Sequence, residues 1–264
     1  MKCDRQTLPI SQIRYENDSI RTFTFNTHLD AQPGQFIMLT IFGQGEKPFS
    51  ILDASEDTFA ITVKALGPFT EELFKLNAGD LISCRGPYGE TFSQETGRIL
   101  MVGGGFATPP LKFQAKQLRK QGVNYLVNIN GARTADDLLY VEDFQALCDR
   151  SLLATDDGSQ GHKGTSVDVM REVLEEEKFD RIYISGPEKM MKAAVDVARE
   201  NGIPFEVNLE RYMKCGVGVC GSCVMDPTGL ILCMEGPIID DKTLEGLTDF
   251  GVAHRDKTGR VVKI

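Results

Sequence analysis

The sequence has no apolar run of the roughly 20 residues that a bilayer-spanning helix needs, and its first residues lack the apolar core of a signal peptide. It also lacks any run of Lys and Arg, and its net charge is −9. Contacts to nucleic-acid phosphates need clustered cations, so these features argue against a nucleic-acid-binding surface. We therefore expect a cytoplasmic protein that binds neither nucleic acid nor a membrane.

Histidine is scarce, with only 3 in the chain, and His28, His162 and His254 share no spacing that would unite them as metal ligands. The adjacent Asp156 and Asp157 stand before a glycine, which is typical of a turn and not of an acid–base pair. No catalytic triad is visible either. The sequence therefore predicts no catalytic acid, base or nucleophile in this chain.

Cysteine is present in an informative pattern. Cys215, Cys220 and Cys223 stand at C-x4-C-x2-C spacing, and Cys233 follows farther on. This is the ligand spacing of a plant-type [2Fe–2S] centre. The loop also contains glycines that permit positive φ and allow backbone amides to point toward the cluster sulfurs, namely Gly216, Gly218 and Gly221. A structural zinc site, a pair of disulfides and unligated thiols remain the alternatives.

The remaining thiols are widely scattered, and they are Cys3, Cys84 and Cys148. Scattered thiols without an export signal indicate a reducing compartment. The chain has 264 residues, 41% of them hydrophobic and 25% charged. That length is enough for about two globular domains and a small module.

The first third of the chain has the pattern of short antiparallel strands. Alternating or apolar runs at 20–25, 36–41, 59–64 and 80–84 are separated by Gly and Pro. The sequence therefore predicts a small antiparallel β-barrel.

The middle third alternates strands with helices. Strands are expected at 98–102, 125–129, 152–155 and 181–185, with helices at 111–121, from 136, at 167–177 and at 188–201. This alternation predicts a doubly wound α/β domain, whose ligands bind at the carboxyl ends of the strands. Glycine turns predicted at that edge make these residues candidates for nucleotide binding: Gly103, Gly104, Gly105, Gly186 and Pro187.

In chain order, the segments 47–51, 63–71 and 86–89 resemble the FAD-binding barrel of the ferredoxin reductase superfamily. The resemblance implies an FAD site formed by Lys47, Pro48, Phe49, Ser50, Thr62, Val63, Lys64, Phe69 and Thr70. Two positions depart from the superfamily pattern, since Lys47 replaces an arginine and Phe69 replaces a glycine. The resemblance further implies an NAD site in the α/β half, although Ser185 replaces the usual cysteine before Gly186-Pro187.

The C-terminal part resembles the electron-transfer subunit family of type B dihydroorotate dehydrogenases. The resemblance rests on Glu210, Met213, the four cysteines and the Glu235-Gly-Pro segment, and it extends over essentially the whole chain. It implies an FMN-containing catalytic partner subunit, a heterotetrameric complex, and electron transfer through the [2Fe–2S] cluster and FAD to NAD+. Cys215, Cys220, Cys223 and Cys233 would ligate the iron.

The expected organisation is an FAD-binding barrel at 1–96, an NAD-binding-like domain at 97–206 and a cluster module at 207–264. Two alternative functions are compatible with the same parts. One is the small subunit of an NADH-dependent ferredoxin:NADP oxidoreductase or of a sulfide dehydrogenase. The other is a docking subunit that holds FAD and the cluster without using NAD(P)H.

Overall fold

The computed structural model describes residues 5–264, so Cys3 lies outside the described residues. Within that range, no helix is both long and apolar enough to cross a membrane.

The N-terminal region is a curled antiparallel sheet. Its elements are β1 (Gln6–Pro9), β2 (Gln12–Asn17), β3 (Ile20–Phe25), β4 (Phe36–Ile41), β5 (Gly45–Ala54), β6 (Phe59–Lys64), α1 (Pro68–Leu73) and β7 (Leu81–Tyr88). The strand order is β1-β7-β4-β5-β6-β3-β2. The two outer strands, β1 and β2, are separated along the chain only by Ile10 and Ser11, whose amides donate to Asp80 O and Thr24 O. The chain itself thus joins the two edges, and the predicted barrel is confirmed.

The middle region is a parallel sheet with helices. Its elements are β8 (Arg98–Gly104), α2 (Pro109–Lys120), β9 (Tyr125–Ala132), α3 (Val141–Leu147), β10 (Arg150–Thr155), β11 (His162–Lys163), α4 (Ser166–Glu176), β12 (Arg181–Ser185), α5 (Glu188–Glu200) and β13 (Phe205–Asn208). Short 3₁₀ turns lie at Gly105–Ala107 and Ala135–Asp137.

Both faces of this sheet are covered. Leu100 and Val102 of β8 pack in a cluster with residues of α4 and α5, whereas Ile99 and Met101 pack with residues of α2 and α3. Successive strand residues point to opposite faces, so the run from 99 to 102 is apolar throughout because both faces are buried. The doubly wound prediction is confirmed. The helix expected from residue 136 begins later, because Tyr140 has φ of 58° and interrupts it.

The C-terminal region contains β14 (Val224–Met225), β15 (Leu230–Ile231), α6 (Leu232–Glu235), β16 (Ile238–Asp240), α7 (Asp241–Glu245), β17 (Ala253–Arg255) and β18 (Val261–Lys263). Strand β16 pairs antiparallel with β13 and extends the α/β sheet to the order β11-β10-β9-β8-β12-β13-β16. The segment that follows Cys233 is thereby joined to the sheet by regular backbone hydrogen bonds. The predicted domain limits remain predictions.

Candidate functional site

A cavity of about 240 Å³ lies where the three regions of the chain meet. Its wall is formed by Phe36, Pro48, Phe49, Ser50, Thr62, Val63, Lys64, Leu66, Thr70, Phe106, Ala107, Pro109, Pro110, Asn208, Leu209, Glu210, Arg211, Met213 and Pro237. Most of these side chains are apolar, with a few polar groups between them, which is the usual composition of a cofactor site. We call it the flavin cavity.

Seven of the nine residues predicted to hold FAD line this cavity: Pro48, Phe49, Ser50, Thr62, Val63, Lys64 and Thr70. The barrel strands β5 and β6 contribute six of them, because these strands are neighbours in the curled sheet. Thr70 belongs to α1, where its hydroxyl accepts hydrogen bonds from the amides of Leu66 at 2.9 Å and Gly67 at 3.1 Å. The structure thus brings these seven residues together around one cavity, and their role in binding FAD stays a prediction.

The two positions that depart from the superfamily pattern do not line the cavity. The Lys47 ammonium donates to the hydroxyl of Tyr212 at 3.0 Å and lies 4.5 Å from the centroid of that ring. Phe69 is buried and stacks on Phe49, with the ring centroids 6.0 Å apart. Both side chains therefore lie outside the cavity and contact residues around it. Lys47 connects the barrel to the segment before the cysteine loop, and Phe69 packs against Phe49 of the cavity wall.

Three further residues line the flavin cavity, namely Asn208, Glu210 and Arg211. No sequence pattern predicted them there. Asn208 ends β13, so the rule that ligands bind at the carboxyl ends of parallel strands could have found it. The side chain of Arg211 is only 2% exposed and pairs with Glu188 at 2.7 Å.

The cysteine loop has the backbone that its glycines predicted. Gly216, Gly218 and Gly221 have φ of 67°, 75° and 65°. The amides of Val219 and Cys220 each lie 3.4 Å from Cys215 Sγ, and that of Gly218 lies 3.2 Å from Cys233 Sγ. Amides that point at sulfur stabilise the negative charge of thiolates and of the cluster that they hold.

The four cysteines lie in two neighbouring pairs, since the amide of Cys220 is 3.4 Å from Cys215 Sγ and the amide of Cys233 is 3.4 Å from Cys223 Sγ. The hydrogen bond from Cys233 lowers the pKa of Cys223 to about 7. Burial alone would raise the pKa of Cys220, but hydrogen bonds involving Ser222 and Cys215 outweigh it and bring that pKa to about 6. The same hydrogen bond raises the pKa of Cys233, so one thiol of that pair keeps its proton until metal binding displaces it.

The arrangement of the four cysteines in two pairs bears on the choice between an iron–sulfur cluster and a zinc ion. A structural zinc gathers four ligands around one centre, whereas four thiolates of a [2Fe–2S] cluster are divided between two irons. Two pairs of thiols surrounded by amide donors fit the iron–sulfur group.

The cysteine loop packs directly on the wall of the flavin cavity. A Cβ atom at Gly216 would lie 2.8 Å from Met38 Cγ and 3.8 Å from Phe36 Cε2, and Phe36 is part of the cavity wall. Arg85, at the end of the barrel, donates to the carbonyl oxygen of Cys215 at 2.6 Å. The two candidate cofactor sites are therefore separated by little more than the side chains of β4.

The glycine turns of the α/β half lie at the carboxyl edge of the sheet as expected. Gly104 and Gly186 face each other closely, since a Cβ at Gly104 would lie 3.5 Å from Gly186 Cα. Gly186 and Pro187 border a second cavity of about 710 Å³. Gly103, Gly104 and Gly105 do not line it. We call it the nucleotide cavity.

Ser185, which stands where the superfamily has cysteine, does not face the nucleotide cavity. It is fully buried. Its hydroxyl donates to Ala107 O at 2.6 Å and accepts from Asn208 Nδ2 at 3.2 Å. Because Ala107 and Asn208 both line the flavin cavity, Ser185 fixes two parts of its wall.

Comparisons with known proteins agree with this assembly. Family models match at residues 7–92 (oxidoreductase FAD-binding domain), 101–196 (oxidoreductase NAD-binding domain) and 210–245 (iron–sulfur cluster binding domain of dihydroorotate dehydrogenase B). The chain thus contains FAD-binding, NAD-binding and iron–sulfur cluster-binding domains, as the sequence predicted.

Two relatives are named "probable dihydroorotate dehydrogenase B (NAD(+)), electron transfer subunit". The one from Methanocaldococcus jannaschii is 40% identical over 253 residues, which is 96% of each chain. The one from Thermococcus kodakarensis is 42% identical over 229 residues, 86% of this chain and 93% of the relative.

A solved structure from work on an NADH-dependent reduced ferredoxin-NADP oxidoreductase superposes with a TM-score of 0.81 at 32% identity, covering 92% of this chain and 93% of that one. The full-length identity to the two named relatives, together with the iron–sulfur domain match, shows that the chain belongs to the electron-transfer subunit family of dihydroorotate dehydrogenase B.

Proposed function

We propose that this chain is the electron-transfer subunit of a cytoplasmic dihydroorotate dehydrogenase in pyrimidine biosynthesis. It would pass electrons from an FMN-containing catalytic partner subunit to NAD+. When bound, a [2Fe–2S] cluster supplies one-electron transfer, and FAD supplies the exchange between single electrons and a hydride. Dihydroorotate itself would be oxidised on the partner, which agrees with the lack of a predicted catalytic acid or base here.

The observation that carries the proposal is the contact between the cysteine loop and the flavin cavity. Gly216 packs against Phe36 and Met38 of β4, and Phe36 lines the cavity. Electron transfer needs its centres close together, and in this proposal the side chain of Phe36 would lie between the cysteine loop and the flavin.

The residues of this chain have separate roles in the proposal. Cys215, Cys220, Cys223 and Cys233 hold the cluster, and the amides of the loop stabilise its charge. The apolar wall around Pro48, Phe49 and Val63 excludes water from the flavin, while Ser50, Thr62, Lys64 and Thr70 offer polar groups to it. NAD+ would bind in the nucleotide cavity, which Gly186 and Pro187 border at the carboxyl edge of the sheet, while Gly103, Gly104 and Gly105 lie at the same edge outside that cavity.

The contact with the partner is best tested on the complex as it exists. Anaerobic purification of the tagged full chain from its native cell should recover an FMN protein that oxidises dihydroorotate, with two irons and one FAD per copy of this chain. The mass of the complex then tests the heterotetramer. Recovery of a different flavoprotein in place of the dihydroorotate-oxidising subunit would reject the proposal.

The ligand assignment is tested by Cys220→Ser. We expect this variant to fold and retain FAD but to lose the cluster, because residue 220 is far in sequence from the barrel and partly exposed at the loop surface. Iron content and visible absorption measure the result. Cys148→Ser is the matched control, since Cys148 packs in the core with residues of α2 and α3 and not in the cysteine loop. Full iron content in Cys220→Ser would refute the assignment.

A second candidate is the small subunit of an NADH-dependent ferredoxin:NADP oxidoreductase. The structural similarity at a TM-score of 0.81 and 32% identity favours it. The same purification separates the two, because this candidate would be recovered with a partner that reduces NADP+ and does not oxidise dihydroorotate.

A further inference from the structure

The nucleotide cavity and the flavin cavity share part of their walls. Phe106, Ala107, Glu210 and Arg211 border both. The two cavities are therefore adjacent, and a ligand in the nucleotide cavity would lie against a wall of the flavin cavity. The nucleotide cavity has a volume of about 710 Å³, which lies in the range of small-molecule binding sites.

Part of the wall of the nucleotide cavity comes from the C-terminal hairpin of β17 and β18. His254, Arg255, Asp256 and Lys257 line the cavity there. The last family model ends at residue 245, so this hairpin lies beyond every matched domain. It nevertheless lines the same cavity as Gly186 and Pro187.

Two contacts fix the hairpin in this position. The amide of Gly251, just before β17, donates to Glu188 Oε1 at 2.9 Å. Arg255 Nη2 donates to Asp226 Oδ2 at 2.7 Å and ties the hairpin to the cluster region. The hairpin is therefore attached both to the first turn of α5 and to the segment after the cysteine loop.

Some charged side chains at the nucleotide cavity have ion-pair or hydrogen-bond partners in the part of the chain that the structure describes, and Lys257 does not. Arg211 pairs with Glu188 and Arg255 pairs with Asp226. Asp256 accepts hydrogen bonds from Thr258 and from the Arg260 amide within the hairpin turn. Lys257 is exposed, and within residues 5–264 its ammonium has no ion pair or hydrogen bond. It is a cation available to an anionic ligand.

We propose that the C-terminal hairpin is part of the pyridine-nucleotide site, with Lys257 binding the phosphates of the dinucleotide while Gly186 and Pro187 border the nicotinamide end. This inference rests on the proposed use of NAD+. It extends the nucleotide site from the α/β half to a segment that follows the cluster module.

The test compares Lys257→Glu with Lys263→Glu in the full chain carrying FAD and the cluster. Lys263 is an exposed residue of β18 in the same hairpin and does not line the cavity, so it controls for net charge.

We expect Lys257→Glu to raise the dissociation constant for NAD+, measured by calorimetry, by about tenfold. We expect the KM for NADH in flavin reduction to rise by about the same factor, because the variant loses one charged hydrogen bond. The maximal rate and the FAD and iron contents should not change, because the residue binds ground state and transition state alike. Lys263→Glu should match wild type.

Two outcomes are decisive in different ways. If wild-type protein binds and oxidises NADH and the two variants have equal dissociation constants and KM values, the hairpin inference is wrong while the proposed function survives. If NADH neither binds nor reduces the flavin of the wild-type protein, the proposed use of the pyridine nucleotide fails, and the hairpin inference fails with it.

Discussion

At the scale of single residues, Gly216 of the cysteine loop is constrained both by its backbone conformation and by its neighbours. Gly216 has a positive φ that a side chain disfavours, and its Cα hydrogen faces Met38 at a distance that leaves no room for a methyl group. The first constraint could be predicted from Gly-x-Gly between cysteines. The second could not, because Met38 is distant along the chain and only the packing of the loop on β4 makes it a neighbour.

Gly216→Ala should therefore disturb the cluster site more than strain alone would. A non-glycine residue at positive φ costs about 1–2 kcal/mol, and the contact with Met38 forces the loop to move as well. We expect substoichiometric iron and acid-labile sulfide after reconstitution. Gly229→Ala is the control, with φ of 78° but nothing within 4 Å of the added atom. It should show a similar strain and full iron content, and equal iron loss in both variants would contradict the role given to Met38.

At the scale of elements, Tyr140 connects the α/β half to the barrel. It interrupts the helix that the sequence predicted from residue 136, and its hydroxyl lies 3.0 Å from Thr22 Oγ1 and also contacts that of Thr62. Burial raises the pKa of Tyr140 to about 12. The apolar periodicity around 136–144 gave no sign of this role, because the bond crosses between two domains.

The raised pKa of Tyr140 predicts an alkaline instability. A buried group that stays neutral contributes stability fully below its unfolded pKa, near 10, and loses it as pH rises toward the folded value of about 12. Tyr140→Phe should cost about 1 kcal/mol at pH 8 but show a smaller fall in Tm between pH 10 and 12. A residual fall is expected from Tyr183, whose pKa burial also raises to about 12.

Thermal unfolding followed by circular dichroism at several pH values measures this effect. Tyr15→Phe is the control, since Tyr15 is 66% exposed. It should retain the wild-type decline, and an identical decline in Tyr140→Phe would show that Tyr140 ionises freely in the folded protein.

At the scale of the whole molecule, the buried guanidinium of Arg211 contacts two other segments of the chain. Its guanidinium binds both carboxylate oxygens of Glu188 at the start of α5, at 2.7 and 2.9 Å. It also lies 3.9 Å from Asp249 in the C-terminal segment and borders both cavities. Burial raises the pKa of Asp249 above its ordinary value.

Arg211→Met should destabilise the protein by roughly 3 kcal/mol, because it leaves partly buried carboxylates without a partner, and should lower Tm by about 6–10 °C. Arg171→Met is the matched control. Arg171 pairs with Glu200 at 3.0 Å with side chains 51% and 59% exposed, and such a pair contributes below about 1 kcal/mol. Equal Tm values for the two variants would mean that the buried network does not hold the C-terminal segment.

The sequence by itself determined the parts of this protein. The cysteine spacing, the loop glycines and the periodicity of strands such as Ile20–Phe25 depend on neighbours within a few residues, so they could be predicted without a structure. The tertiary structure decided how those parts meet. It placed Asn208, Glu210 and Arg211 in the wall of the flavin cavity. It also paired Lys47 with Tyr212, and it made the C-terminal hairpin and Gly186 line the same cavity. These contacts join residues far apart in the chain, and only the packing of three regions on one another fixes them.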